Sequence, residues 1–311
     1  MNIIIEKNVE LAPLTTFKIG GRAKFFVEVA SKEEIVAAVQ YARENKLKIF
    51  ILGGGSNVLI SDNGFDGLVI RIKNSEIEIV DGVEIICAAG VKLMDLVNFS
   101  VKNKLTGLEW AAGIPGTVGG AVRGNAGAFG GEIKDSVLSV GVIDLNKEEL
   151  TIETLTGEQC QFKYRSSLIK ESDSLVIVMV RFKLAKTDVS NEAEIAAIIE
   201  KRKHNQPVGP SAGSFFKNPK VTDAKTIEKF EHDMEMKMRG EKLPAGWFID
   251  DLGFKGKKIG GAQVSEKHGN FIMNSGKASA EDVIILSSFL KQKVRDSYGV
   301  QLEEEISRIG F

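Results

Sequence analysis

The chain has 311 residues, enough for two or three structural units and a sizeable buried core. Apolar residues make up 43% and charged ones 27%, a globular balance that excludes a disordered or membrane-embedded class. The formal net charge of −1 leaves no global basic field for nucleic acid or an anionic membrane, so anionic ligands must be met locally, by aimed backbone amides and a few Lys or Arg. The two cysteines, Cys87 and Cys160, have no CxxC spacing and read as small core hydrophobes. No basic segment precedes a long apolar run, and no 18-residue apolar stretch occurs, so a cytoplasmic protein is expected.

Ser31 with Glu34 reads as a capping box, and Ile35, Ala38, Val39 and Ala42 then recur on one helical face. A short apolar strand, Lys48–Leu52, follows and ends at Gly53-Gly54-Gly55, with another strand at 68–72. Residues 77–87 read as a hairpin, Asp81-Gly82 supplying the positive φ angles of its turn. A second amphipathic helix is expected from about 92 to 104, through Leu93, Leu96, Val97 and Val101. Strands are predicted at 137–145, 150–155 and 174–184. The pattern returns to helix at about 191–203, where Asn191 and Glu194 read as a second capping box, and a domain boundary is placed between 187 and 188. The final third has a short helix opening with Pro244, a strand near 268–273, and a long helix that starts at Ser279 with Asp282 three residues on and stops at Gly299.

Two glycine-rich loops stand apart. In Ile51-Leu-Gly-Gly-Gly-Ser-Asn-Val-Leu59, three glycines after a strand let successive amides face one concavity suited to phosphate oxygens, and Ser56 and Asn57 add side-chain donors. A tight turn with no ligand would give the same pattern. The second loop holds eight glycines between 113 and 131 and almost no charge. Glycine at that density costs chain entropy, so close approach to a large flat ligand is the simpler explanation. Neither loop is a G-x-G-x-x-G or a Walker A sequence, which disfavours a Rossmann fold or a nucleotide triphosphatase.

With these loops, Thr15-Thr16-Phe17…Ile19-Gly-Gly21 and Ala212-Gly-Ser-Phe-Phe-Lys-Asn-Pro219, the sequence resembles the UDP-N-acetylenolpyruvoylglucosamine reductase family over nearly its whole length. The most specific islands are GIPGTVGGA and GNAGAFG. The resemblance implies an α+β fold: a two-subdomain FAD-binding fold of the vanillyl-alcohol-oxidase (PCMH) type over 1–187, divided near 75, and a C-terminal α+β substrate-binding domain over 188–311 whose last strand returns to the active site. It implies non-covalent FAD held by Gly53, Gly54, Gly55, Ser56 and Asn57 in the first loop. The second loop would contribute Ile114, Pro115, Gly116, Thr117, Gly119, Gly120, Asn125, Gly127 and Ala128. It also implies NADPH as hydride-donating co-substrate and UDP-N-acetylglucosamine enolpyruvate as substrate; a monomer is expected. No tyrosine lies between Tyr164 and Tyr298, which matches the family's shorter members.

The implied reaction adds hydride and a proton across an enol ether conjugated to a carboxylate. Charge develops on that carboxylate, which calls for a cation, a second hydrogen-bond donor and a positioned acid. The tyrosine-arginine-x-serine motif assigns the cation to Arg165, beside Tyr164; a bare reading of position gives a surface arginine in a turn. The resemblance makes Ser214 the proton donor and Lys217, Asn218, His268 and Asn270 substrate contacts. Read singly, these are a turn serine, a solvated lysine and a loop histidine. The family's C-terminal L-E-P-E-V-R pattern is altered here to Leu302-Glu-Glu-Glu-Ile-Ser-Arg308, and the gapless match assigns the carboxyl to Glu305. In an extended strand Glu303 and Glu305 share a face and Glu304 points away. No histidine pair has metal-ligand spacing, and no metal is expected. Two other readings stand beside this one: a related flavin oxidoreductase acting on an alcohol or sugar, and a non-catalytic nucleotide-sugar binding module.

Overall fold

A computed structural model describes residues 3–238 and 240–311. The chain divides into two compact units, each with its own hydrophobic core. The first comprises the chain up to Val9 together with Ala23–Gly55 and Asp66–His204. The second comprises Glu10–Arg22, Ser56–Phe65 and Asn205–Phe311.

The first unit carries two sheets. One orders its strands Glu6–Glu10, Arg22–Val29, Phe65–Ile72 and Lys48–Leu52, the last two parallel with Lys48 opposite Gly67. Helix α1 (Lys32–Glu44) buries Ile35, Ala38, Val39 and Ala42, as its periodicity predicts. Ser31 accepts from Glu34 N at 3.2 Å, but Glu34 reaches back to Ala30 N (2.6 Å), one residue earlier than a reciprocal box would place it. The other sheet is antiparallel, in the order Ile152–Thr156, Val137–Asp144, Leu175–Lys183, Glu84–Ala88 and Ile77–Ile79. Only Gly82 of the expected Asp81-Gly82 pair takes a positive φ, +65°.

Helix α2 (Leu93–Lys102) matches its predicted span within two residues. Helix α3 (Val118–Arg123) lies inside the second glycine loop, where glycine density hides the helix signal. A single turn, α4 (Leu168–Glu171), is capped by Ser167, whose hydroxyl accepts from Lys170 N. Helix α5 (Glu192–Asn205) lies against the first core through Ile195, Ile198 and Ile199, so the division between units falls after His204 rather than at 187. Asn191 does not complete a capping box with Glu194; its carboxamide donates to Glu109, a nearly buried carboxylate that also accepts from Gly107 N.

The second unit is built on a sheet ordered Ser211–Ser214, Phe271–Asn274, Ala262–Val264 and Lys258–Ile259. Helix α6 (Ala224–Met234) has no counterpart in the sequence reading, because only Thr226 and Phe230 are buried and the apolar stripe is thin. Helix α7 (Ala245–Asp251) follows Pro244, and α8 (Ala280–Tyr298) carries the reciprocal Ser279–Asp282 box and ends on Gly299 at φ +66°. Asp62 accepts from the Ala280 and Glu281 amides, so a segment 218 residues upstream satisfies two more donors of that helix end. A two-stranded parallel pair joins Ser307–Ile309 to Val58–Ile60. Phe17, Leu59, Phe215, Phe216, Phe248 and Leu290 are fully buried in this unit's core. Among the described residues, no helix is long and apolar enough to cross a membrane.

Because Ser279 satisfies one of the four orphan amides at the start of α8, Ser279→Ala should destabilise the protein by about 1 kcal/mol. Urea unfolding followed by far-UV circular dichroism should show a lower midpoint with an unchanged slope.

Candidate active site

The glycine loops of the first unit meet backbone to backbone. A Cβ built on Gly54 would lie 2.6 Å from the Gly116 Cα, and one on Gly53 would lie 2.6 Å from the Thr117 Oγ1. No side chain larger than hydrogen fits between the two chains there, so the backbones lie in direct contact. Thr117 then starts α3, accepting from Gly120 N at 3.4 Å.

Several of the eight glycines answer to the protein rather than to a ligand, which corrects the expectation drawn from their density. Gly119 donates its amide to Ala89 O (2.9 Å), and its Cβ would sit 3.0 Å from the Ala89 Cβ. Gly131 is pressed onto the Trp110 ring. Gly127 has Gly131 O at 2.9 Å and the Arg165 Nη1 at 3.1 Å from where its Cβ would be. By contrast, Gly120 and Gly124 have nothing closer than 3.5 Å, and Gly130, at φ +91°, has nothing within 4 Å. Gly130 is explained by its positive φ, whereas at Gly120 and Gly124 the protein gives no steric reason for glycine.

Tyr164 and Arg165 are the two central residues of a tight turn closed by reciprocal bonds between Lys163 and Ser166 (2.9 and 3.1 Å). Arg165 adopts φ +56°, a left-handed conformation that costs a side-chain-bearing residue about 1–2 kcal/mol. Three contacts fasten the turn to the second glycine loop. Arg165 Nη2 donates to Gly127 O (2.7 Å), Asn125 Nδ2 donates to Lys163 O (2.9 Å), and Ser167 Oγ donates to Arg123 O (2.7 Å). The guanidinium also lies 5.4 Å from the Tyr164 ring centroid. Asn125 is fully buried, and its carboxamide further engages Glu132 Oε2 and Lys134 N, so its side chain pins the turn and is not presented to a cofactor. Ser167, absent from the sequence-derived site, is fully buried at the junction of turn and loop; its signal was the N-cap position ahead of Leu168-Ile-Lys.

In the second unit, residues 303–305 run antiparallel to 215–217. Lys217 N donates to Glu303 O and Glu305 N to Phe215 O, each at 2.8 Å, with Phe216 opposite Glu304. The backbone of Glu305 is thereby fixed one residue away from Ser214, although the two are 91 positions apart in the chain. Asn57 holds the same stretch from the other side: its Nδ2 donates to Glu305 O (3.2 Å), and its carbonyl accepts from Ser307 N (3.0 Å). Asn57 is therefore tied to the segment that runs from Glu305 into the strand Ser307–Ile309.

The alternation within Glu303–Glu305 distinguishes the three carboxylates. Glu304 pairs with Lys291 (2.8 Å) on α8 and with the Arg308 Nε (2.7 Å). Burial works to raise its pKa, but the hydrogen bonds from Arg308 and Lys291 outweigh burial and hold the carboxyl below its usual value. Glu303 is exposed and bridges to the Lys217 Nζ at 3.2 Å. Glu305 shares the Glu303 face and is partly buried.

The remaining expected substrate residues are engaged within this unit. Asn270 donates to Phe216 O (2.8 Å) and accepts from Phe216 N (2.9 Å), while its carbonyl accepts from Phe215 N (2.8 Å); it holds the segment after Ser214 in place. Asn218 Oδ1 accepts from Ala245 N (3.0 Å) at the start of α7. His268 Nδ1 accepts from Asn270 N (3.1 Å), which requires the Nε2–H tautomer of a neutral ring. Burial lowers its pKa, with Lys255 adding to that effect and Asp250 opposing it. Cys87 and Cys160 are buried, their thiols pushed up to about 12 and about 11 by desolvation, and have no reactive character. Among the described residues, no cluster of His, Cys, Asp and Glu has metal-binding geometry.

Comparison with known proteins gives a consistent answer. A family model described as FAD binding domain matches residues 23–152, and one described as UDP-N-acetylenolpyruvoylglucosamine reductase, C-terminal domain, matches 203–309. The UDP-N-acetylenolpyruvoylglucosamine reductase of Caldanaerobacter subterraneus subsp. tengcongensis is 37% identical over 95% of this chain and 90% of its own. That of Carboxydothermus hydrogenoformans is 39% identical over 98% of this chain and 93% of its own. The crystal structure of UDP-N-acetylenolpyruvylglucosamine reductase (MurB) from Thermus caldophilus superposes with a TM-score of 0.76 at 31% identity, covering 99% of this chain and 100% of that one. The glycine cradle between residues 53–54 and 116–117 fits the FAD that the first model implies.

Gly54→Ala forces the two loops apart and should weaken FAD binding to the apoprotein by about 1–3 kcal/mol, roughly 5- to 150-fold. Gly120→Ala has room within the protein and gains helix propensity of about 1 kcal/mol. It should leave the apoprotein at least as stable while weakening FAD binding, as read by quenching of flavin fluorescence. Unchanged affinity in Gly120→Ala would show that no ligand reaches that residue.

Proposed function

The chain belongs to the UDP-N-acetylenolpyruvoylglucosamine reductase family and is an FAD-dependent oxidoreductase; from that premise we propose that Arg165, Ser214 and Glu305 carry the reduction of UDP-N-acetylglucosamine enolpyruvate to UDP-N-acetylmuramate. The observation that carries this reading is the 2.8 Å bond from Glu305 N to Phe215 O, which sets the altered C-terminal motif beside the motif bearing Ser214.

When bound, FAD would be held by Gly53–Asn57 and the second glycine loop and would supply hydride transfer between NADPH and the enolpyruvyl group. The protein's own residues do the rest. Arg165, fixed in its turn by Gly127 O, meets the substrate carboxylate with a charge that cannot be lost. Glu305 acts in its protonated form, donating a hydrogen bond to the same carboxylate as charge builds on it. Ser214, partly exposed at the end of its strand and following Gly213 at φ +77°, delivers the proton to the carbon next to the carboxylate. Asn270 holds the backbone that follows the serine, and Asn57 holds that of Glu305. Gly53–Asn57, with Ile114, Pro115, Gly116, Thr117, Gly120 and Ala128, form the FAD-holding surface of this reading, and Tyr164, Lys217 and His268 its substrate contacts. The enzyme works as a cytoplasmic monomer in peptidoglycan precursor synthesis.

Only the second half-reaction needs an acid, so Ser214→Ala should be reduced by NADPH at the wild-type rate. Its reoxidation by the enolpyruvyl sugar nucleotide should slow by about 10²–10⁴-fold. Stopped-flow absorbance at the flavin band separates the steps, and equal slowing of both would remove the proton-donor role.

Glu305→Gln keeps a hydrogen-bond donor and should retain more reoxidation activity than Glu305→Ala. Glu304→Ala breaks the pairs to Lys291 and Arg308 and should lower the melting temperature. A larger loss of turnover in Glu303→Ala or Glu304→Ala than in Glu305→Ala would show that the wrong carboxyl has been assigned.

A further inference from the structure

Helix α5 presents Ile195, Ile198 and Ile199 to the core of the first unit. Continuing that stripe by three to four residues arrives at Arg202, a position where the helical period calls for an apolar side chain. The arginine stem lies across the second glycine loop. A Cβ on Gly113 would meet the Arg202 Cδ at 3.2 Å and its Nε at 3.3 Å. The side chain is partly buried, and among the described residues no carboxylate pairs with it. Desolvation accordingly lowers its pKa, and no acid offsets that effect.

The placement is not loose. The Asn191 carboxamide ties the start of α5 to Glu109, and Arg202 reaches Gly113 three turns later, so the helix is fixed at both ends to one short segment. The preceding residue, Lys201, lies 5.3 Å from the ring centroid of Phe129, on the same glycine loop. The neighbouring basic residue Lys203 behaves differently, bridging outward to Glu200 at 2.7 Å. A cation taken partly out of water and given no counter-ion costs stability, so its retention against an amide-rich loop calls for an anion from elsewhere.

We propose that Arg202 is a cofactor-binding residue whose guanidinium meets a phosphate of the FAD pyrophosphate held by the glycine loops. The proposal rests on the FAD reading above and adds a fixed positive charge beside loops whose own arginine, Arg123, has an acidic neighbour in Asp173. Guanidinium–phosphate contacts are charge-assisted and planar, so lysine should replace it only in part.

The test uses apoprotein stripped of flavin and titrated with FAD at low and high salt. Arg202→Met keeps the apolar stem. It should raise the Kd for FAD by about 10- to 100-fold, the loss expected for a hydrogen bond to a charged group, and flatten the salt dependence. Arg202→Lys should recover part of the affinity. The Arg202→Met apoprotein should melt at or above the wild-type temperature, since an uncompensated charge has been removed. An apoprotein that melts several degrees lower would make Arg202 a structural residue and overturn the proposal. So would an unchanged Kd for FAD, including the case where the KM for NADPH rises instead and the charge serves the co-substrate. Failure of the wild-type apoprotein to bind FAD at all would defeat the underlying reading rather than this residue's part in it.

Discussion

The contact of Gly54 with Gly116 is the constraint on which the FAD-binding unit depends. Two backbones from distant segments approach until no Cβ can stand between them. That approach is held from behind by α3, whose first amides are tied to Val91 O and Ala89 O rather than left for a ligand. It is extended by the hairpin at Gly127–Glu132, and Arg165 and Asn125 tie the turn at Tyr164–Arg165 to this loop. Glycine serves two purposes in the same stretch: some residues let protein meet protein, and others leave a bare surface.

A different economy governs the C-terminal motif. The family pattern has proline and arginine where this chain has Glu304 and Ser307, with an arginine displaced to 308. In the structure Glu304 and Arg308 are partners, joined through two guanidinium nitrogens and assisted by Lys291. Two departures that look independent in sequence are thus one compensated change. A proline would have fixed the chain's φ angle there; this chain uses an ion pair on the far side of the strand from Glu305.

The fold was legible wherever one face of an element is apolar. Helices α1, α2, α5 and α8 and the strands of the antiparallel sheet followed from periodicity and capping residues. Helix α6 was not, because a helix that buries two side chains leaves little trace in its sequence. Helix α3 was hidden by glycines, which local propensity reads as loop. The unit boundary was misplaced because α5 looks like the start of something new, while its isoleucines belong to the core before it. At the candidate site, the glycine loops, Arg165 and Ser214 were singled out by residue type and motif. Sequence did not reveal that Asn125, Asn218 and Asn270 satisfy backbone groups at distant points, since a carboxamide's partner is set by tertiary placement.

The parallel pair between Val58–Ile60 and Ser307–Ile309 has a consequence for synthesis. Residues 10–22 and 56–65 leave the ribosome early, yet most of the core that Phe17, Ile19 and Leu59 join lies beyond residue 205. At about 5–20 residues per second, those apolar side chains wait roughly ten to fifty seconds for their partners. Much of the FAD-binding unit is complete in the meantime and can close around its own core. The second core is complete only when the strand that follows Glu305 has been translated.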